Sequence, residues 1–501
     1  MLPLLNSAQI RDADAYTIRH EPIAAIDLME RAARAFAEAF HSQFPQNQSK
    51  IAVYCGTGNN GGDGLAIARL LHQFGYLQID VKVARFSERS SDDFNTNLKR
   101  LEAKGVPINE IKPGSAFPVE NAELIIDALL GTGLNKPLDG DFKKLVEYLV
   151  SLNRKVVAVD VPTGLFADGE IPAGTTILKS NLVLTFQQPK INFLLPESGP
   201  YIARWEALDI GIDQEFARSV NSPYQLVQEE DVRARLRPRH RFSNKGSYGH
   251  TLIVAGQPET MGAALLASSA CVHTGSGLTT ACVPESGLIA LNSYQPEVMA
   301  LVLKPDTLPD IPWEKFTTIA IGPGLGKDEV SIQLFRLVLE NYHRPMVIDA
   351  DALNMLAENP GLWEFVPKGS ILTPHIKEFD RLFGEHKTWW QRLQTGRKKA
   401  KEHGVYLVLK NDYTITMTPD DKLYFNSTSN AAMAGGGMGD VLTGVIAALL
   451  AQQYISEDAC IIGNYIHGKA GDELALPGQL HVVLPSLLIS ELPKTMAKLM
   501  A

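Results

Sequence analysis

Cysteine is scarce in this chain, four among 501 residues, and none of Cys55, Cys271, Cys282 and Cys460 stands in a CxxC pair. A disulfide framework is therefore not expected, and reduced cysteines in apolar contexts imply a cytoplasmic address. Any uninterrupted apolar run of about 18 residues, which a membrane-spanning helix needs, is also missing. The opening stretch MLPLLNSAQIRDAD lacks the basic-then-apolar order of a secretory signal. Positive charge is in deficit: 47 Lys and Arg against 56 Asp and Glu give a net charge of −9, which argues against a nucleic-acid partner. The one basic run, RARLRPRHR at 233–241, reads as a solvated linker rather than a phosphate track. There is no P-loop, no repeat between the halves and no low-complexity tract.

What is present is ordinary in bulk: 45% hydrophobic and 21% charged residues, typical of a globular protein. A chain of 501 residues exceeds what one core supports, so two domains are expected. Residues 212–245 lose sustained periodicity and mark the boundary, giving domains over 1–220 and 225–501. In the first, Ile26, Met29, Ala33, Phe36, Ala37 and Phe40 fall on one helical face. Apolar runs IAVY, IDVKVARF, AELIIDALLG, KVVAVDVP and NLVLTF then alternate with helical stretches, the pattern of a parallel sheet covered on both faces. The second half repeats that style from HTLIVAG onward through TTIAIGPGLG, PMVIDADALN, SILTPH and VYLVLKN. Two different α/β domains are expected.

Ligands of such sheets bind outside the carboxyl ends of the strands. Three strands of the first half end in the polar, glycine-bearing loops CGTGNNGGDG, DALLGTGLNKP and DVPTG, expected to converge on one site. In the first loop, Gly61, Gly62 and Gly64 would let backbone N–H groups approach a phosphate at a helix start. A structural turn in which Asn and Asp tolerate left-handed backbone is the plainer alternative. Asp127 and Asp160 close apolar runs, where an unpaired carboxylate is costly. They read either as caps or, with Asn60 and Thr163, as oxygens for a cation and a general base.

In the second half, GGGMGDVLTG sets glycines before Asp440 and an apolar helix. Successive N–H groups there form an anion hole for a transferring phosphoryl, with Asp440 placed to take a proton from an attacking hydroxyl. A simple N-cap would explain the Asp but not the glycine run. His375 alone reads as a structural histidine, and Asp349 and Asp351 as strand-end caps.

GTGNNGGDG, DALLGTGLNKPLDG and VDVPTGL together resemble the NAD(P)H-hydrate epimerase family across residues 1 to about 220. That resemblance implies a Rossmann-like three-layer domain. By it, Asn59, Asn60, Gly61, Gly62 and Asp63, with Gly131, Thr132, Gly133, Leu134, Asn135, Lys136 and Pro137, cradle the hydrated cofactor. Asn60, Asp127 and Thr163 would hold K+, Thr163 standing where the family usually has Ser, and Asp160 would contact the substrate as the catalytic acid/base.

NKGSYGHTLIVAG, IGPGLG, IDADALN, LTPHIKEFDRL and the GGGMGD loop resemble the ribokinase-like ADP- or ATP-dependent NAD(P)H-hydrate dehydratases over about 225–495. The implied contacts to the hydrate are Gly262, Ala263, Gly324, His375 and Asp440, with Asp440 as base. Lys410, Asn411, Asp412, Tyr413, Thr414, Gly436, Gly437 and Gly439 would bind the nucleotide with its Mg2+. Ile376 and Lys377 replace a frequent Pro-Gly after the His, and Asn411 a frequent Gly.

The resemblance therefore implies a bifunctional repair enzyme, an isomerase exchanging the R and S hydrates of NADH or NADPH at C6 and a lyase dehydrating the S form. It would act on small molecules, without nucleic acid or membrane, as a homo-oligomer. The alternative is a vitamin-precursor or sugar kinase carrying a non-catalytic nucleotide-binding module.

Overall fold

The computed structural model describes residues 1–45, 48–304, 307–475 and 480–501. The chain divides into two compact units, one comprising Pro3–Ser222 with Thr388–Trp390, the other Met1–Leu2, Pro223–Lys387 and Gln391–Ala501. Among the described residues no helix is long and apolar enough to cross a membrane. All four cysteines are buried and free.

The N-terminal unit is built on a seven-stranded sheet. From edge to edge its strands are Ile108–Ile111, Ile79–Ala84, Ile51–Cys55, Leu124–Ala128, Lys155–Val159, Leu182–Phe186 and Trp205–Leu208. Every pairing is parallel. The chain winds outward from Ile51–Cys55 in one direction, then returns to Leu124–Ala128 and winds the other way. The crevice between these two strands is thus a topological switch point. Helix Ala25–Gln43 lays Leu28, Met29, Ala32, Ala33, Phe36, Ala37 and Phe40 into the core, a stripe at spacings of three and four.

In the C-terminal unit the sheet runs Tyr224–Leu226, Leu423–Phe425, Ile415–Met417, Tyr406–Leu409, Ile371–Leu372, Val347–Ile348, Thr318–Ile321, His250–Val254, Leu278–Pro284 and Met299–Leu303. Only Ile415–Met417 runs antiparallel to its neighbours. The switch point lies between His250–Val254 and Thr318–Ile321. Helix Met438–Ala451 is apolar on almost every side and is correspondingly buried. It passes so close to helix Met261–Thr274 that a Cβ on Gly444 would lie 2.1 Å from the Ala267 carbonyl oxygen.

Most of the basic run is exposed, as a solvated linker requires, but several of its side chains also have partners. Arg233 donates to the Leu499 carbonyl and Arg235 to Asp458. Arg237 and Arg239 lie over the rings of Tyr454 and Tyr248. Four of its arginines reach carbonyls, a carboxylate and aromatic faces of the C-terminal unit while the run stays at the surface. The aperiodic stretch around it also holds helix Gln214–Ser219, strand Tyr224–Leu226 and helix Glu229–Arg233, elements too short to register as a period.

Gly444→Ala is expected to lower stability by about 1–3 kcal/mol, because its methyl must push two packed helices apart. Urea unfolding followed by circular dichroism reads this, and an unchanged midpoint would contradict the helix contact.

Candidate active sites

In the N-terminal unit the three glycine-bearing loops open onto one cavity of about 510 Å³. Its wall includes Asn59, Asn60 and Asp63 from the first loop, Gly131, Thr132, Gly133 and Leu134 from the second, and Asp160 from the third. Helix Asn59–Gln73 begins directly after strand Ile51–Cys55 with Gly58 as N-cap, and no side chain caps its first amides. Those N–H groups remain available to an anion.

The glycines do something other than the phosphate approach read from their spacing. A Cβ on Gly61 would meet the Gly56 carbonyl oxygen at 1.9 Å, and one on Gly64 the Ala128 Cβ at 2.4 Å. Gly62 packs beside Met29 and Phe94, and its N–H donates to the Gly58 carbonyl. Gly61 and Gly64 therefore let the helix sit against the strand ends and Gly62 against neighbouring helices, while their polar neighbours Asn59, Asn60 and Asp63 border the cavity. Asn135, Lys136 and Pro137 lie beyond the cavity wall, with Lys136 pairing to Asp139 at the surface.

Asp127, fully buried at the end of Leu124–Ala128, accepts from the Thr163 hydroxyl at 2.7 Å, the Thr163 N–H at 2.8 Å and the Leu129 N–H at 3.2 Å. Burial pushes its pKa up to about 6, the three hydrogen bonds opposing. The Asn60 amide nitrogen is buried without a partner, and its side chain lies against Gly131. Asp127 and Thr163 lie off the cavity wall and are bonded to each other, while Asn60 meets the second loop at Gly131, next to Leu130, whose N–H donates to the Thr163 hydroxyl at 3.1 Å. No Lys, Arg or His acts on the Asp127 carboxylate among the described residues.

Asp160 follows strand Lys155–Val159 with φ of 62°, a left-handed conformation that Asp tolerates better than most residues. One carboxylate oxygen takes Lys190 Nζ at 2.7 Å, the Phe186 N–H at 2.9 Å and the Thr185 hydroxyl at 3.0 Å. The other faces no protein donor of this set. Lys190 is itself buried, its remaining donors going to the carbonyls of Phe186 and Gln188. Sequence reasoning passed over Lys190; the polar QQPK after the NLVLTF strand was its signal.

In the C-terminal unit the marked residues also gather at strand ends. Gly262 and Ala263 start helix Met261–Thr274 at one side of the switch point, and a Cβ on Gly324 would come within 3.0 Å of Ala263 Cβ. Gly322 abuts the Asp349 carbonyl, where any side chain would collide at 1.9 Å. His375 caps helix Ile376–Phe383: its Nδ1 accepts from the N–H groups of Lys377 and Glu378, and Glu378 accepts from the His375 N–H. The ring is about half exposed, with Nε2 directed away from the helix amides and lying 3.4 Å from Glu378. His375 thus caps the helix through Nδ1 while its half-exposed Nε2 edge lies beside Glu378. Burial beside Lys410 lowers its pKa, so the neutral ring carries its proton on Nε2.

Asp440 sits in the first turn of Met438–Ala451, whose N-cap is Gly437 at φ 93°, again with no capping side chain. Asp440 is therefore not the N-cap. Burial, then the charge of Asp349, push its pKa up to about 6, with Lys410 opposing. Asp349 is held by Lys410 Nζ at 2.9 Å and the Thr443 hydroxyl at 2.7 Å. Beside this network lies a cavity of about 580 Å³, bordered by Lys410, Asn411, Asp412, Thr414 and Gly439. Tyr413, Gly436 and Gly437 are not on its wall. The Asn411 amide nitrogen is buried without a partner, an unused donor in a polar pocket. Asn426, Asn430 and His467 are among the other residues of the wall. The NSTSN run after LYFN was the available signal for the first two, whereas nothing local distinguishes His467.

A family model described as NAD(P)H-hydrate dehydratase matches residues 251–494, and one described as YjeF-related protein N-terminus matches 25–192. A bifunctional NAD(P)H-hydrate repair enzyme of Moorella thermoacetica is 33% identical over 99% of this chain and 97% of its own. The Coxiella burnetii enzyme of that name is 33% identical over 95% and 96%. A solved ADP/ATP-dependent NAD(P)H-hydrate dehydratase from Bacillus subtilis, co-crystallised with ATP/Mg2+, is 30% identical over 55% of this chain and 98% of its own, with a TM-score of 0.48. With the two α/β units, their strand-end sites and full-length relatives of one kind, the chain belongs to the family of bifunctional NAD(P)H-hydrate repair enzymes.

Proposed function

We propose that residues 1–220 epimerise the R and S hydrates of NADH and NADPH at C6, and that residues 225–501 dehydrate the S hydrate using ADP or ATP. The observation that carries the reading is that each unit has its own strand-end cavity, with an acid/base carboxylate beside uncapped helix amides. A vitamin or sugar kinase with a passive N-terminal module is not favoured, since such a module has no use for an ion-paired carboxylate facing its cavity. The four buried free cysteines support a cytoplasmic setting.

In the C-terminal unit, Asp440 takes the proton of the C6 hydroxyl as its oxygen attacks the terminal phosphoryl of the nucleotide. The first amides of Met438–Ala451 receive the developing charge, and Lys410, fixed by Asp349, adds a cation beside them. The ring nitrogen lone pair then expels phosphate, and loss of a C5 proton restores the dihydropyridine. Hydroxide is a poor leaving group, and phosphorylation removes that obstacle. Among the described residues no group of three His, Cys, Asp or Glu could hold a metal. Mg2+ would accordingly arrive on the nucleotide phosphates, whose charge it neutralises.

In the N-terminal unit, Asp160 exchanges the proton of the C6 hydroxyl, and Asn59, Asn60 and Asp63 with the Gly131–Leu134 loop orient the substrate. The Asp127 carboxylate, the Thr163 hydroxyl and the side-chain oxygen of Asn60 would supply oxygens to K+, whose charge would offset the buried Asp127 carboxylate.

Asp440→Asn is expected to slow dehydration by about 10²–10⁴-fold while epimer exchange continues at the unaltered rate. Since the base must be deprotonated, dehydration by the unaltered enzyme should fall as pH drops through about 6. A pH-independent rate would remove Asp440 from that role. Replacing K+ by tetramethylammonium should suppress epimer exchange, and Asp127→Asn should abolish the response to K+; equal rates in both salts would exclude the cation site. Inorganic phosphate should appear one for one with regained reduced nicotinamide, whereas phosphate retained on an organic product would establish the kinase.

A further inference from the structure

We propose that Asp14 is a second catalytic residue of the N-terminal site, the proton donor that works with Asp160. The inference rests on the epimerase reading above. Asp14 lies on helix Ser7–His20, ahead of the residues matched by the N-terminal family model. Ile10, Ala13 and Asp14 share the helix face that borders the cavity. The helix is held firmly: Asn6 and Gln9 form a capping box, and the Ser7 N–H and hydroxyl donate to Asp168 at 2.6 and 2.7 Å. The Asp213 N–H donates to the Thr17 hydroxyl at 3.0 Å. A side chain so anchored has a fixed place in the cavity wall.

The charged groups facing the cavity are Asp14 and Arg11 from this helix, Asp63 from the glycine loop, and Asp160 and Lys190 from the strand ends. Lys190, the buried cation among them, is bound to Asp160 at 2.7 Å. Asp14 makes no hydrogen bond within the described residues, so its carboxyl is available to a ligand. Burial and the charge of Asp160 raise its pKa to about 6, Lys190 opposing. Two neighbouring carboxyls, one ion-paired and one inclined to keep its proton, are what a paired base and acid require. Asp63, on helix Asn59–Gln73, is also pushed up by burial and by the charge of Asp160; the Asp14→Asn and Asp63→Asn variants separate the two.

The step balances without a co-reactant. Asp160 takes the proton of the C6 hydroxyl, the O–H electron pair forms C6=O, and the C6–N1 bond breaks with its pair going to N1. N1 takes the proton of Asp14. After rotation about C5–C6 the nitrogen closes on the other face of the carbonyl. N1 returns its proton to Asp14, and the oxygen recovers one from Asp160.

The test uses the full-length protein, purified S hydrate and K+ without nucleotide, with the R hydrate resolved by chromatography. The unaltered enzyme should lose rate about tenfold per pH unit above about pH 6. Asp14→Asn should lower kcat by about 100-fold or more with little change in KM, and abolish that alkaline limb; Asp14→Glu should restore part of both. Unaltered kcat in Asp14→Asn, absence of the limb in the unaltered enzyme, or loss of the limb in Asp63→Asn instead would overturn the assignment. If the unaltered enzyme exchanges no epimers, the epimerase reading falls. If it does and Asp160→Ala does not, while Asp14→Asn matches the unaltered enzyme, only the role of Asp14 falls.

Discussion

A Cβ on Gly61 would lie 1.9 Å from the Gly56 carbonyl oxygen, and the N-terminal site depends on the absence of that atom. The missing side chains at Gly56, Gly61 and Gly64 let helix Asn59–Gln73 start flush against the ends of Ile51–Cys55 and Leu124–Ala128. That start sets the Asn60 side chain against Gly131 of the second loop. The C-terminal unit meets the same constraint elsewhere: Gly322 against the Asp349 carbonyl, and Gly444 against Ala267. Parallel strands end together along one edge, so close helix starts at a switch point concentrate free amides and polar side chains there.

That concentration creates an electrostatic problem which each site resolves differently. Asp160 and Asp349 are matched by lysines, at 2.7 and 2.9 Å. Asp127 has only neutral donors; Asp14 borders the N-terminal cavity and Asp440 follows Gly439 of the C-terminal cavity wall, each with its pKa raised to about 6. The lysine pairs hold fixed charges in place, whereas the carboxyls without a cation are those with reason to exchange protons or recruit an ion. Phosphoryl activation and epimer exchange both require such groups beside firmly held ones.

The central strands and the glycine loops were legible because buried parallel strands are continuous apolar runs and their loops carry distinctive residues. Edge strands Ile108–Ile111, Trp205–Leu208 and Met299–Leu303 were not, since exposed residues interrupt them. Short Ile415–Met417 and Tyr224–Leu226 offer too few residues for a period. The basic run is largely exposed, as read, but its pairing with Asp458 and stacking on Tyr454 and Tyr248 were not legible, because they are contacts that composition does not encode. Asp14 and Lys190 escaped for a similar reason: each stands in an ordinary helical or loop context, and only folding brings them to Asp160.

Two complementary activities on one chain leave a simple signature in bulk solution. The decisive measurement is the final absorbance of reduced nicotinamide after mixing the protein with both hydrate epimers, ADP or ATP, Mg2+ and K+. The account predicts complete recovery, because the R hydrate is converted as the S hydrate is consumed. Recovery that halts at the S fraction would contradict the epimerase half, and absence of nucleotide-dependent recovery would contradict the account as a whole.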